Sequence, residues 1–133
     1  MTVEVPESHR DLLNDDKRAF AFLATVMPNG SPQVTPVWFD TEGELVRVNT
    51  ARGRVKDRNL GARPQLAIAI IDPEDPYRYL QIRGSVASTT EEGAREHIDR
   101  LAEKYLGTPE YANYQGETRV MYLIRPESVS VMG

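Results

Sequence analysis

The segment Asn49–Arg63, NTARGRVKDRNLGAR, gathers five basic residues and one acidic one in a chain whose formal net charge is −4. Positive charge concentrated in an acidic protein needs a local reason, and two are available. The first is a solvated face on a short helix, where charges contribute little to stability. The second is an anion site. The first turn of a helix leaves backbone N–H groups unpaired, and the helix dipole adds partial positive charge there. Arg54 and Lys56 would stand beside that end, while Thr50 and Gly53 would let the backbone approach an anion closely. A phosphate is bound by this combination. No Walker or Rossmann glycine spacing accompanies it, so the residues alone leave both readings open.

Other chemistries are narrower. The chain has no cysteine, which removes disulfides, thiolate catalysis and cysteine-bound zinc. His9 and His97 are far apart and lack metal-ligand spacing, so no metal site is expected. No residue stands out as a general acid or nucleophile, and the catalytic residues stay unassigned. Overall acidity argues against a nucleic-acid partner, which needs a broad positive face. No apolar run approaches the roughly 20 residues of a membrane span. The start, MTVEVPESHRDLL, has no basic region leading into an apolar stretch, so a cytoplasmic location is expected. With 133 residues, 40% hydrophobic and 27% charged, the chain reads as one globular domain over residues 1–133.

The elements that must position the basic segment follow from pattern. PESHRDLL reads as a short helix, and RAFAFLATV as a strand buried on both faces. Asn29-Gly30 reads as a hairpin turn in which both residues tolerate positive φ. QVTPVWFD is a second strand, and Pro36 marks it as an edge, a bulge or a place where a ligand replaces a neighbour. LVRVNT alternates as a third strand, with Arg47 and Asn49 on its polar side. RVKDRNLGAR is helical, with Val55, Asn59 and Leu60 inward and Gly61 ending it. PQLAIAII is a fourth strand, apolar on both faces, and RYLQIRGSVAST a fifth, with Gly84 at a bulge. TEEGAREHIDRLAEKYL is an amphipathic helix capped by Thr89 or Thr90, with Ile98, Leu101, Ala102 and Tyr105 on one side. RVMYLIRPESVSVM is the last strand, interrupted at Pro126. The expected fold is mainly β with flanking helices (α+β): a barrel of about six mostly antiparallel strands, small enough to pair with a second copy.

The order FLATVMPNGSPQVTPVWFD, VRVNTARGRVKDRNLGARPQLAIAII, YLQIRGSVA resembles the pyridoxamine 5′-phosphate oxidase-like flavin and deazaflavin reductases across nearly the whole chain. Its most specific part is Arg54-x-Lys56-x-x-Asn59-Leu60 ahead of Pro64. The resemblance implies a split β-barrel that forms a homodimer with cofactor sites along the interface, the Arg-x-Lys pair binding the cofactor's phosphate. The short chain is most similar to the branch that uses the deazaflavin coenzyme F-420 in hydride transfer to a small unsaturated acceptor. FMN is the alternative, because the clamp serves both, and a binding protein that carries the coenzyme without turnover is a further one. The resemblance places Val34, Thr35, Pro36, Val37 and Trp38 against the tricyclic ring, and Asn49 and Thr50 near the phosphate or ribityl chain. Asn59 either touches the ligand or caps its own helix, and Tyr79, like Tyr77, either lies near the partner's ring or packs in its strand. Tyr105, Tyr111 and Tyr114 are candidates for the edge of the substrate pocket.

Overall fold

The computed structural model describes residues 3–133. Two 3-10 turns, Glu7–Leu13 and Asp15–Lys17, precede β1 (Ala21–Val26), β2 (Pro32–Val37), β3 (Phe39–Glu42) and β4 (Leu45–Ala51). Helix α1 (Val55–Ala62) leads into β5 (Gln65–Asp72) and β6 (Asp75–Thr90), and helix α2 (Ala94–Leu106) into β7 (Arg119–Met132). All seven strands form one sheet in the order β2-β1-β5-β6-β7-β4-β3, and every pairing is antiparallel. The two edge strands, β2 and β3, are consecutive in sequence with only Trp38 between them. The sheet must therefore curl until its edges meet at Trp38, which makes a barrel split along one side. Its core holds Phe39, Leu23, Ile68, Ile82, Tyr122 and Ile124, each under 2% exposed.

Several sequence expectations change. The strand read as QVTPVWFD divides at Trp38, so there are seven strands among the described residues. Pro36 lies on an edge strand, where its missing N–H costs no ladder bond. β1 is buried on one face only: Ala21, Leu23 and Thr25 face the core, while Phe20 and Phe22 are 47% and 38% exposed. At the β1–β2 turn Gly30 alone takes positive φ (+88°), and Asn29 instead accepts from the Ser31 N–H at 3.0 Å. The first helix is 3-10 rather than α. Gly61 lies inside the last turn of α1 with ordinary backbone, and the helix ends at Ala62. α2 begins after Gly93 (φ +78°), not at Thr89 or Thr90, because both of those threonines are still paired with β7. Gly84 does sit at an irregularity in the β6–β7 register, and a Cβ there would collide with the Arg125 carbonyl.

Candidate functional site

The basic segment is built around its one acid. Asp57 is the third residue of α1, and its carboxylate accepts from the Gly53 N–H (2.9 Å), from Arg52 (3.0 Å) and from the buried hydroxyl of Tyr122 on β7 (2.6 Å). Burial pushes this carboxyl up, but the Tyr122 hydroxyl, the Gly53 N–H and Arg52 together hold it below the usual range. Asp57 thus ties the turn and the start of α1 to the barrel wall. The charges of Arg54 and Lys56 are left unspent: neither pairs with a carboxylate among the described residues. Lys56 is partly buried, and its pKa is lowered, first by burial and then by Arg54 and Arg119. Such a cation is destabilised until an anion joins it.

A cleft of about 320 Å³ opens beside these residues, lined by Phe20, Pro36, Val37, Trp38, Asn49, Arg54, Lys56, Ile98, Leu101, Tyr111, Asn113 and Arg119. It occupies the seam where the barrel edges meet at Trp38. One wall is aromatic: Tyr105 stacks between Phe20 (5.2 Å) and Trp38 (5.4 Å), and Tyr111 meets Trp38 edge-on at 6.1 Å. Arg54, Lys56 and Arg119 give the cleft its positive charge, with Arg119 over the Tyr111 ring at 5.3 Å. A polar cleft bordered by Gly53, Arg54, Asn113 and Gly116 continues from it. The arrangement suits a flat conjugated molecule carrying an anion at one end.

Six of the eleven residues expected at the cofactor meet in this cleft, Pro36, Val37, Trp38, Asn49, Arg54 and Lys56, and Tyr111, expected at the substrate edge, lines it too. The other five do not line it. Thr50 follows Asn49 on β4, and strand alternation turns it inward with Val46 and Val48. Its buried hydroxyl has no partner among the described residues, and neither does that of Thr35, which lies opposite core residue Leu23. Asn59 is buried and structural: its amide donates to Thr25 Oγ1 (2.9 Å), and its oxygen accepts from Arg63 (3.2 Å). Val34 and Tyr79 lie on the outer face of the sheet around a second depression with Phe22, Ala24 and Ala69. Tyr77 is 81% exposed, and Tyr114 lies under Arg95.

Sequence reasoning missed Arg119, Asn113 and Phe20. It also missed a buried polar relay behind the cleft. Arg47, expected on a polar face, is covered and makes a two-point ion pair with Asp40 (2.8 and 2.6 Å). Asp40 contacts His97 Nε2 (2.9 Å), His97 Nδ1 contacts the Asn49 amide (3.0 Å), and the Asn49 oxygen accepts from Arg119 Nε (2.9 Å). Burial works to raise the Asp40 pKa, but the His97 and Arg47 hydrogen bonds prevail and hold it at about 2. A polar residue on one strand and a histidine on a distant helix give no local signal of meeting.

A split barrel with a basic, aromatic-walled cleft at its seam is the class that fold and site define. The chain belongs to the pyridoxamine 5′-phosphate oxidase family, whose model matches residues 5–133. Among solved structures it is similar to an F-420 reductase at 35% identity, covering 95% of this chain and 98% of that one, with a TM-score of 0.83. It shares the fold of a conserved hypothetical protein from Mycobacterium tuberculosis (20% identity, 98% and 86% covered, TM-score 0.73). It also shares the fold of HutZ, the heme storage protein of Vibrio cholerae (20% identity, 98% and 96% covered, TM-score 0.69). Curated proteins give no match.

Proposed function

We propose that this protein is an oxidoreductase that uses the deazaflavin coenzyme F-420 to reduce a small unsaturated or conjugated acceptor. Lys56 carries the reading: a partly buried cation with no carboxylate partner among the described residues, in a cleft it shares with Arg54 and Arg119. An anion is the missing partner, and a phosphate-bearing cofactor supplies one. The likeness to a solved F-420 reductase supports this coenzyme over others. The residues present fit it: Arg54, Lys56 and Arg119 offer cations to a phosphate, and Trp38, Phe20 and Tyr111 offer aromatic surface to a ring in the same cleft. When bound, the coenzyme would supply the hydride. The chain's own residues would bind the phosphate through Arg54 and Lys56, border the ring with Pro36, Val37 and Trp38, and exclude water with Phe20, Ile98 and Leu101. Tyr111 carries the one hydroxyl among the described residues lining the cleft, which makes it the candidate proton donor.

FMN binding is the second reading, because the Arg54–Lys56 pair recognises a phosphate and not a ring. A carrier role is favoured by one observation: no carboxylate, histidine or cysteine is among the described residues lining the cleft. A heme role finds no free axial histidine, since both ring nitrogens of His9 and of His97 are hydrogen-bonded.

The functional unit in this reading is a homodimer. Phe22 and Val34 are 38% and 62% exposed on the outer sheet face, next to Tyr79 and edge strand β2. Such a face is normally covered by another chain. Tyr79 and Val34 would then approach a cofactor only from across the dimer.

The test is anaerobic turnover of reduced F-420 with a panel of enones, quinones and tetrapyrroles. Acceptor-dependent oxidation of the coenzyme is expected. Tight binding with no turnover of any acceptor would favour the carrier reading.

A further inference from the structure

Arg119 reaches the cleft from β7, some distance in sequence from the Arg54–Lys56 turn, and its setting differs from theirs. Its Nε donates to the Asn49 oxygen (2.9 Å) and its Nη1 to Glu117 (2.9 Å), while Nη2 has no side-chain partner among the described residues. The guanidinium is buried, with 5% exposure, yet it lines the cleft.

The hydrogen-bond directions behind it are fully determined. A guanidinium only donates, so the Asn49 atom that meets Arg119 must be its oxygen. The Asn49 amide nitrogen then faces the Ala94 carbonyl (2.8 Å) and His97 Nδ1 (3.0 Å) and donates to both. His97 Nδ1 therefore accepts, and the ring proton sits on Nε2, pointing at Asp40 (2.9 Å). Asp40 is in turn fixed by Arg47 (2.6 Å). His97 is fully buried, so its ring is held by these contacts and not by solvent. Without the ring the Asn49 amide nitrogen would keep only the Ala94 carbonyl, and with one of its two anchors gone the side chain could tilt and draw its oxygen off the guanidinium.

We propose that His97 is a positioning residue for the anion site: through Asn49 it holds the Arg119 guanidinium at the cleft as a third cation beside Arg54 and Lys56. The inference rests on the anion-binding reading above and adds the group that orders it.

The probes are inorganic phosphate and FMN, followed by the fluorescence of Trp38, the single tryptophan of the chain. His97→Leu removes both ring contacts and should weaken phosphate binding about 10-fold or more. His97→Gln keeps a donor for Asp40 and an acceptor for Asn49, and should stay within about 3-fold of wild type. In an Arg119→Gln background, His97→Leu should change affinity less than about 2-fold, because the residue acts through Arg119. An equal loss in both backgrounds, or no loss in a folded His97→Leu protein, overturns the proposal. Nitrogen-15 NMR of the unsubstituted protein gives a test independent of any variant. A bare Nδ1 and a protonated Nε2 on His97 are expected, and a proton on Nδ1 overturns the relay. If Lys56→Met leaves phosphate affinity unchanged, the anion reading itself fails. If Lys56→Met weakens binding while the His97 cycle is additive, only the positioning role fails.

Discussion

Replacing Lys56 by methionine separates a ligand-binding charge from a structural one. The substitution keeps an apolar stem of similar length and removes the ammonium. Lys56 makes no salt bridge among the described residues, and burial together with Arg54 and Arg119 lowers its pKa, so its charge is a liability in the free protein. The melting temperature of Lys56→Met should equal or exceed that of wild type. Cofactor binding should move the other way. A charge-assisted hydrogen bond contributes about 1.5–3 kcal/mol, which corresponds to roughly one to two orders of magnitude in Kd. Arg54→Ala should lose at least as much if its contact is two-pronged. Titration by Trp38 fluorescence with a parallel melting curve reads both quantities. The control is Arg58→Ala, an exposed position on α1. Arg63 is unsuitable, because its Nε holds the Val26 carbonyl at 2.7 Å. A Lys56→Met protein that binds like wild type would show that the ammonium holds no ligand, and one that melts many degrees lower would show that the charge is structural.

The same lysine predicts a pH dependence. Its proton is lost at lower pH than that of an exposed lysine, so phosphate or FMN affinity should fall as pH rises through the lowered pKa. Over that window the unfolded chain binds more protons than the free folded one, so stability should rise with pH while affinity falls; a Lys56→Arg protein should show neither trend. Val34→Asp, on the exposed outer sheet face, should convert a dimer to a monomer in sedimentation, with a lower melting temperature that no longer depends on protein concentration; an unaltered dimer would refute the assigned surface. Gly84→Ala should cost about 1–3 kcal/mol or more in urea unfolding, since its Cβ would overlap the Arg125 carbonyl; an unchanged midpoint would show that the β6–β7 bulge yields freely.

Where local chemistry decides a feature, the sequence showed it. Pro36 pointed to an edge, a bulge or a ligand-facing gap and lies on an edge strand, Gly84 pointed to a bulge and sits at one, and Arg54-x-Lys56 pointed to a cationic turn and lines the cleft. Features set by tertiary partners were hidden. Asp57 looks like one acid in a basic helix until Tyr122 arrives from β7 to bind it. Arg47 looks solvated until α2 covers β4 and supplies His97 to Asp40. Thr50 and Asn49 look like equivalent strand-end polars, yet the period of two sends one inward and the other to the cleft. Asn59 reads equally as a ligand contact or a cap of its own helix, and no local signal shows that its amide reaches Thr25 on β1. Phe20 and Phe22 read as core, yet Phe20 stacks on Tyr105 at the cleft and Phe22 lies on the outer sheet face.

The central claim is that the cationic cleft holds F-420. Its most direct measurement is a side-by-side titration of the full-length protein with F-420 and with FMN, read by Trp38 fluorescence and checked for displacement of each by phosphate. Saturable micromolar binding of F-420 is expected, weakened by phosphate and by added salt, with FMN binding more weakly at the same site. Micromolar FMN binding with no response to F-420 would contradict it.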